Sequence, residues 1–268
     1  MLSEIRIKNS LGIVNLYFKN LFEYLSEKEF LTFIEKGFEF MDKNNGLNTK
    51  TNFITSFNNL LLEHQFNNSN IIRNEFSYFN YLLGEFKSYG EFKDFKDLIK
   101  ASLFNFEKHS FHHVLGEIAT CLILSEKYAF KKYEKELVNK RSIDFEFLNR
   151  QNETIYIDVK TIDYNISKYE KEKFSDFLNS RLKQYYEDKT EKLDFETKKK
   201  IFIFPIISGL NLEIIKENQE YLNTIYESST LEIDKFQSFS PRIFGNIQDT
   251  FFRLFSINEI INPEKNFK

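Results

Sequence analysis

Two short runs constrain the fold of this chain most: Ser142-Ile-Asp-Phe-Glu-Phe-Leu148 and Thr154-Ile-Tyr-Ile-Asp-Val-Lys-Thr-Ile162 each read as a strand with charges planted inside it. A side-chain period of two puts Ile155, Ile157, Val159 and Thr161 on one face of the second run, and Tyr156, Asp158, Lys160 and Ile162 on the other. Asp158 and Lys160 are therefore neighbours. A run this rich in β-branched residues reads as a buried strand, where a carboxylate and an ammonium are rarely found without a partner or a metal. The polar, turn-like residues 149–153 between the runs predict a hairpin, which would bring Asp144 beside Asp158. Two acids and a lysine would then share one pocket.

The rest of the chain sets the context for that pocket. Its 268 residues, 41% hydrophobic and 29% charged, describe a globular chain able to bury a real core. A formal charge of −3 provides no global basic field, so any nucleic-acid contact must come from a local patch. The single cysteine and the lack of a secretory pattern predict a reducing, cytoplasmic setting. No apolar run approaches the roughly 20 residues of a membrane span, so no membrane partner is expected.

Residues 1–105 read as an all-α region: Leu11–Leu25, Glu27–Met41, Asn52–Leu62 and Ile71–Phe86 carry apolar residues at mixed three and four spacing. Specificity, a partner protein or a homodimer are its natural roles. Residues 106–268 read as a second domain. It opens with a helix over His109–Tyr128, whose apolar face carries Glu117 between His113 and Cys121 at i−4 and i+4. His109, His112 and His113 lack the second cluster that a metal site requires, and Cys121 reads as a small buried hydrophobe. From Lys127 to Arg141 six basic residues face two acidic ones. Lys131, Lys132, Lys140 and Arg141 form a candidate phosphate-binding patch. A weak strand over Phe130–Val138, the two central strands, a helix over Lys168–Asp188 and a strand over Ile201–Ile207 complete an order of helix, three strands, helix and strand, an α/β (α+β) arrangement. The hairpin is antiparallel, and the helical crossover makes the last pair parallel, so the sheet is mixed. Beyond Gly209 a helical extension is expected, over Asn211–Thr224 and Ile247–Phe255, with a loop around residues 238–241.

In this order, the residues resemble the PD-(D/E)XK nuclease superfamily, the restriction-endonuclease-like fold with an αβββαβ core. Glu117 stands where that family often has a helix glutamate, Asp144 where it has its first strand acid, and Asp158-Val159-Lys160 reads as its (D/E)-x-K element. The family's proline is replaced by Ile143, and the Gln-x-x-x-Tyr spacing of one branch is held here by Arg181 and Tyr185. The resemblance implies a metal-dependent endonuclease acting on DNA, in restriction or phage defence. A degenerate relative that binds nucleic acid or protein without cutting is the alternative.

Three converging carboxylates need a cation, and a hard ion such as Mg²⁺, or Mn²⁺ in its place, suits oxygen donors. The resemblance implies Asp144, Asp158 and the Val159 carbonyl as ligands, Glu117 as a further one, and Lys160 as the residue that orients water. On this reading the two acids repel one another in the metal-free fold, and Asp158→Asn is expected to leave its stability unchanged or to raise it. A purely structural reading, with Asp158 and Lys160 as a surface ion pair, requires their strand to lie at a sheet edge.

Overall fold

The computed structural model describes residues 2–43, 52–66, 70–88, 96, 99–100, 103, 110–164, 173–210, 212–225, 230–233, 236–247 and 251–261. It divides into two compact units, Met1–Leu122 with Asn246–Arg253, and Ile123–Gly245 with Leu254–Lys268.

Among the described residues, the Met1–Leu122 part of the first unit is helical. It includes α1 (Leu2–Tyr17), a 3₁₀ turn (Lys19–Glu23), α2 (Glu27–Lys43), α3 (Phe53–Phe66), α4 (Ile71–Ser88) and most of α5 (Phe111–Ser125). Apolar spacing alone predicts one helix through Leu25, but the chain leaves α-geometry at Phe18, whose φ is −150° and ψ 49°. Side chains then fix the turn to α4: Asn20 donates twice to Asn80, from its N–H to the side-chain oxygen and from its amide to the backbone carbonyl, and the Tyr24 hydroxyl donates to the Leu83 carbonyl at 2.8 Å. Phenylalanine dominates the interior. Phe18, Phe30, Phe53, Phe57, Phe76, Phe79 and Phe111 are buried and meet edge-on or offset, as the ring quadrupole favours, with Phe76 and Phe111 centred 4.8 Å apart. The close approach of α2 to α3 depends on Gly37, where a Cβ would lie 2.6 Å from Ile54 Cγ1.

The second unit is built on a mixed sheet. Following α5 come β1 (Ala129–Glu136), β2 (Ser142–Leu148), β3 (Thr154–Asp163), α6 (Phe174–Thr190) and β4 (Ile201–Ser208), the expected order of helix, three strands, helix and strand, with one added helical turn (Phe195–Lys198) before β4. β1 to β3 are antiparallel, β3 and β4 parallel, and the order across the sheet is β1-β2-β3-β4-β6-β5, with β5 at Thr230–Ile233 and β6 at Phe236–Phe239. The crossover helix α6 buries Phe174, Phe177, Leu178 and Leu182 against Ile162, Ile203 and Ile207. The expected start of that helix, at Lys168, falls in residues 165–172, outside those described.

The tail corrects the expected helical extension. Leu212–Glu217 and Gln219–Ile225 are helical, but Arg242–Ile247 and Phe251–Ser256 are strands, and Ser238 and Phe239 belong to β6 rather than to a loop. Segments of four to six residues carry too few periods to tell helix from strand. Pairing decides them here, as β4 offers its open side to Gln237 and Ser238, and further along to Arg242 and Ile243. β3 is interior, with β2 on one side and β4 on the other, which removes the edge-strand reading of Asp158 and Lys160.

Candidate active site

The site forms where the β2–β3 ladder stops. Its last paired residues at that end are Phe145 and Ile157. One step further, Asp144 Oδ2 accepts the Val159 N–H at 2.6 Å, so a carboxylate replaces a backbone carbonyl as partner. Alternation puts Asp144 and Asp158 on the face that α6 covers, together with Tyr156 and Lys160.

Asp158 is fully buried, and two ammonium groups hold it. Lys160 Nζ lies 3.1 Å from Oδ2, and Lys189 Nζ, from the last turn of α6, lies 2.7 Å from Oδ1. Both oxygens are thus held by lysine ammonium groups, and among the described residues no backbone N–H or neutral side chain donates to them. Lys189 also donates to the Ser142 carbonyl, while Lys160 Nζ lies 5.4 Å from the centre of the Tyr185 ring. Burial pulls the Lys160 ammonium toward deprotonation, but the charges of Asp158 and Asp144 outweigh it and hold the pKa above the usual lysine value. Lys160 is thus a proton-bearing cation at neutral pH.

Asp158 and Lys160 are therefore in contact, and Asp144 bears on both through the Val159 amide and through its charge. Glu117 belongs to the first unit, where it is buried and its Oε1 lies 2.8 Å from His113 Nε2. Beside it in sequence, His112 Nε2 meets Glu75 at 3.1 Å and its ring stacks on Phe252, so both imidazoles are engaged with carboxylates. His109 lies outside the described residues. Cys121 is buried, as expected. Among the described residues no three His, Cys, Asp or Glu side chains converge as a ready-made metal set. The site offers instead two carboxylates on one face. The donor chemistry fits a hard cation, which takes carboxylate oxygens as ligands, and both oxygens of the buried Asp158 already face cationic groups.

The basic patch divides in two. A β-bulge between Phe130 and Lys132 interrupts the alternation of β1, and consecutive Lys131 and Lys132 are both exposed. Lys140 and Arg141 instead lean on acids, Glu136 at 3.4 Å and Glu191 at 3.8 Å. Their turn is fastened to the end of α6 by the Asn139 amide, which donates to the Lys189 and Glu191 carbonyls. Lys127 lines a separate cavity of about 320 Å³ with Tyr128, Arg150, Ile155, Phe202 and Phe239; among the described residues no acid lines it.

Lys189 is the residue that sequence reasoning missed. Helical spacing carries a signal, because Arg181, Tyr185 and Lys189 recur every fourth residue along α6. Arg181 turns along its own helix toward Gln184 and Phe177, while the next two positions meet the pocket lysine and its acid. No family model, curated protein or solved structure matches the chain.

Proposed function

We propose that this chain is a metal-dependent deoxyribonuclease of the PD-(D/E)XK type that hydrolyses internal phosphodiester bonds of DNA. The observation that carries the reading is the pair Asp144 and Asp158 with Lys160, gathered on one sheet face where β2 and β3 part. Asp144 and Asp158 would hold Mg²⁺ or Mn²⁺, which when bound supplies Lewis acidity and lowers the pKa of an attacking water. Lys160 remains charged at neutral pH, so it serves as a hydrogen-bond donor to the water or to the charge developing on phosphorus, and does not take up the proton. Lys131 and Lys132 contribute phosphate contacts from the edge strand. Glu117 enters this reading as an additional ligand through the family resemblance.

Incubation of the purified protein with supercoiled plasmid, in Mg²⁺ or Mn²⁺ and in EDTA, tests the proposal. Metal-dependent nicking is expected, and Asp144→Asn or Lys160→Met should lower its rate about 100-fold or more, the scale of losing a group that stabilises transition-state charge. DNA left intact with either metal would refute nuclease activity. The two lysines that neutralise Asp158 favour one further reading, a module that binds nucleic acid without cutting it. That module would retain DNA in a filter-binding assay, cleave nothing, and bind equally well as Asp158→Asn.

A further inference from the structure

We infer that Lys189 is the resident counter-cation of Asp158, which a divalent ion must displace to bind, so that the end of α6 gates metal entry. This rests on the metal-site reading above. Both oxygens of the buried Asp158 are already faced by ammonium groups, at 3.1 Å from Lys160 and 2.7 Å from Lys189. An ion of the Mg²⁺ class approaches its oxygen ligands to about 2.0–2.1 Å. An ammonium 2.7 Å from the same oxygen occupies that approach, and two cations on one oxygen repel.

The two lysines are not equivalent. Lys160 lies within β3, between Asp158 on its own strand and the Tyr185 ring. Lys189 is the penultimate residue of α6, and its other contact is a backbone carbonyl, that of Ser142, just past the β1–β2 turn. Its own carbonyl is fixed by Asn139, so the side chain can swing away while the helix end stays in place. Charge balance points the same way. Asp144, Asp158, Lys160 and Lys189 sum to zero, whereas a divalent ion in the place of Lys189 leaves the pocket at +1, with the released ammonium beside it. A phosphodiester anion then finds two sources of attraction that are absent before the ion arrives.

Calorimetric titration of Mn²⁺ into wild type, Lys189→Gln and Lys192→Gln tests the gate. The glutamine at 189 can still donate a hydrogen bond but carries no charge, and Lys192, exposed just past the same helix, controls for the loss of one positive charge. Lys189→Gln should bind Mn²⁺ at least tenfold more tightly, and Lys192→Gln within about twofold of wild type. Equal or weaker binding by Lys189→Gln, with wild type still binding, overturns the gate and leaves the metal site standing. No binding by any of the three defeats the metal reading and the gate together. A second measurement needs no variant. Reductive methylation of the wild type, followed by peptide mass spectrometry, should show Lys189 labelled several-fold faster with Mn²⁺ than in EDTA, with Lys131 and Lys140 unchanged. Equal labelling of Lys189 in metal and in EDTA overturns the proposal.

Discussion

At the scale of single residues, the charge around Asp158 reverses what two neighbouring carboxylates would suggest. Mutual repulsion predicts that Asp158→Asn spares or stabilises the metal-free fold. The structure puts two cations on that carboxylate, so the substitution leaves two buried ammonium groups, Lys160 and Lys189, set against the single charge of Asp144. Removal of one partner from a buried ion network costs about 3–5 kcal/mol, and a loss on this scale is expected in urea melts of Asp158→Asn in EDTA. Lys160 adds a pH signature. Its folded pKa is raised, so its contribution is fully present below the ordinary lysine value of 10.5 and is lost as pH rises through the folded value. Alkaline unfolding of the wild type should show this loss, and Lys160→Met should lack it. The neighbourhood of Asp158 and Lys160 is legible in the sequence because alternation along one strand is local. Lys189 is not, because its contact depends on how far the crossover returns along the sheet and on a helix that extends past Asp188.

At the scale of elements, helix ends and glycines carry the testable detail. Ser26 and Glu29 form a reciprocal cap at the start of α2: the Ser26 N–H donates to the Glu29 carboxylate, and the Glu29 N–H to the Ser26 hydroxyl. The Lys100 ammonium, and then the Ser26 amide, hold the Glu29 pKa down to about 2. A depressed carboxylate stabilises the fold above its ordinary pKa of 4.5 and ceases to do so as pH falls toward 2; acid titration by circular dichroism should therefore show a transition shifted to higher pH in Glu29→Gln. Between α2 and α3, Gly37→Ala would drive a methyl against Ile54 in a core of buried rings, and thermal melts should register a loss of about 1–3 kcal/mol. Strands with clear alternation and long amphipathic helices are readable from spacing, and β2 matches its expected bounds. The tail strands are not, because Phe236–Phe239 and Phe251–Ser256 are too short to declare a period and take their form from partners distant in sequence.

At the scale of the whole molecule, a net charge of −3 makes the proposed DNA binding depend on where a few lysines stand. The bulge in β1 turns Lys131 and Lys132 outward together, whereas Lys140 and Arg141 are partly neutralised by acids. Lys131→Gln combined with Lys132→Gln should reduce the slope of log K against log salt by about 2, read from filter binding at several ionic strengths. An unchanged slope would return the strand to a solvated face. The charges at the proposed site share another property, which bears on descent. Asp144, Asp158, Lys160 and Lys189 lie in one continuous stretch, with the turn that clamps α6 immediately before it and β4 immediately after. Recombination with breakpoints before Tyr128 and after Ser208 would transfer the pocket, its strands and its crossover helix as one cassette, and whatever chain then followed would have to cover the open side of β4 and the core that Phe236, Ile243 and Ile257 now complete.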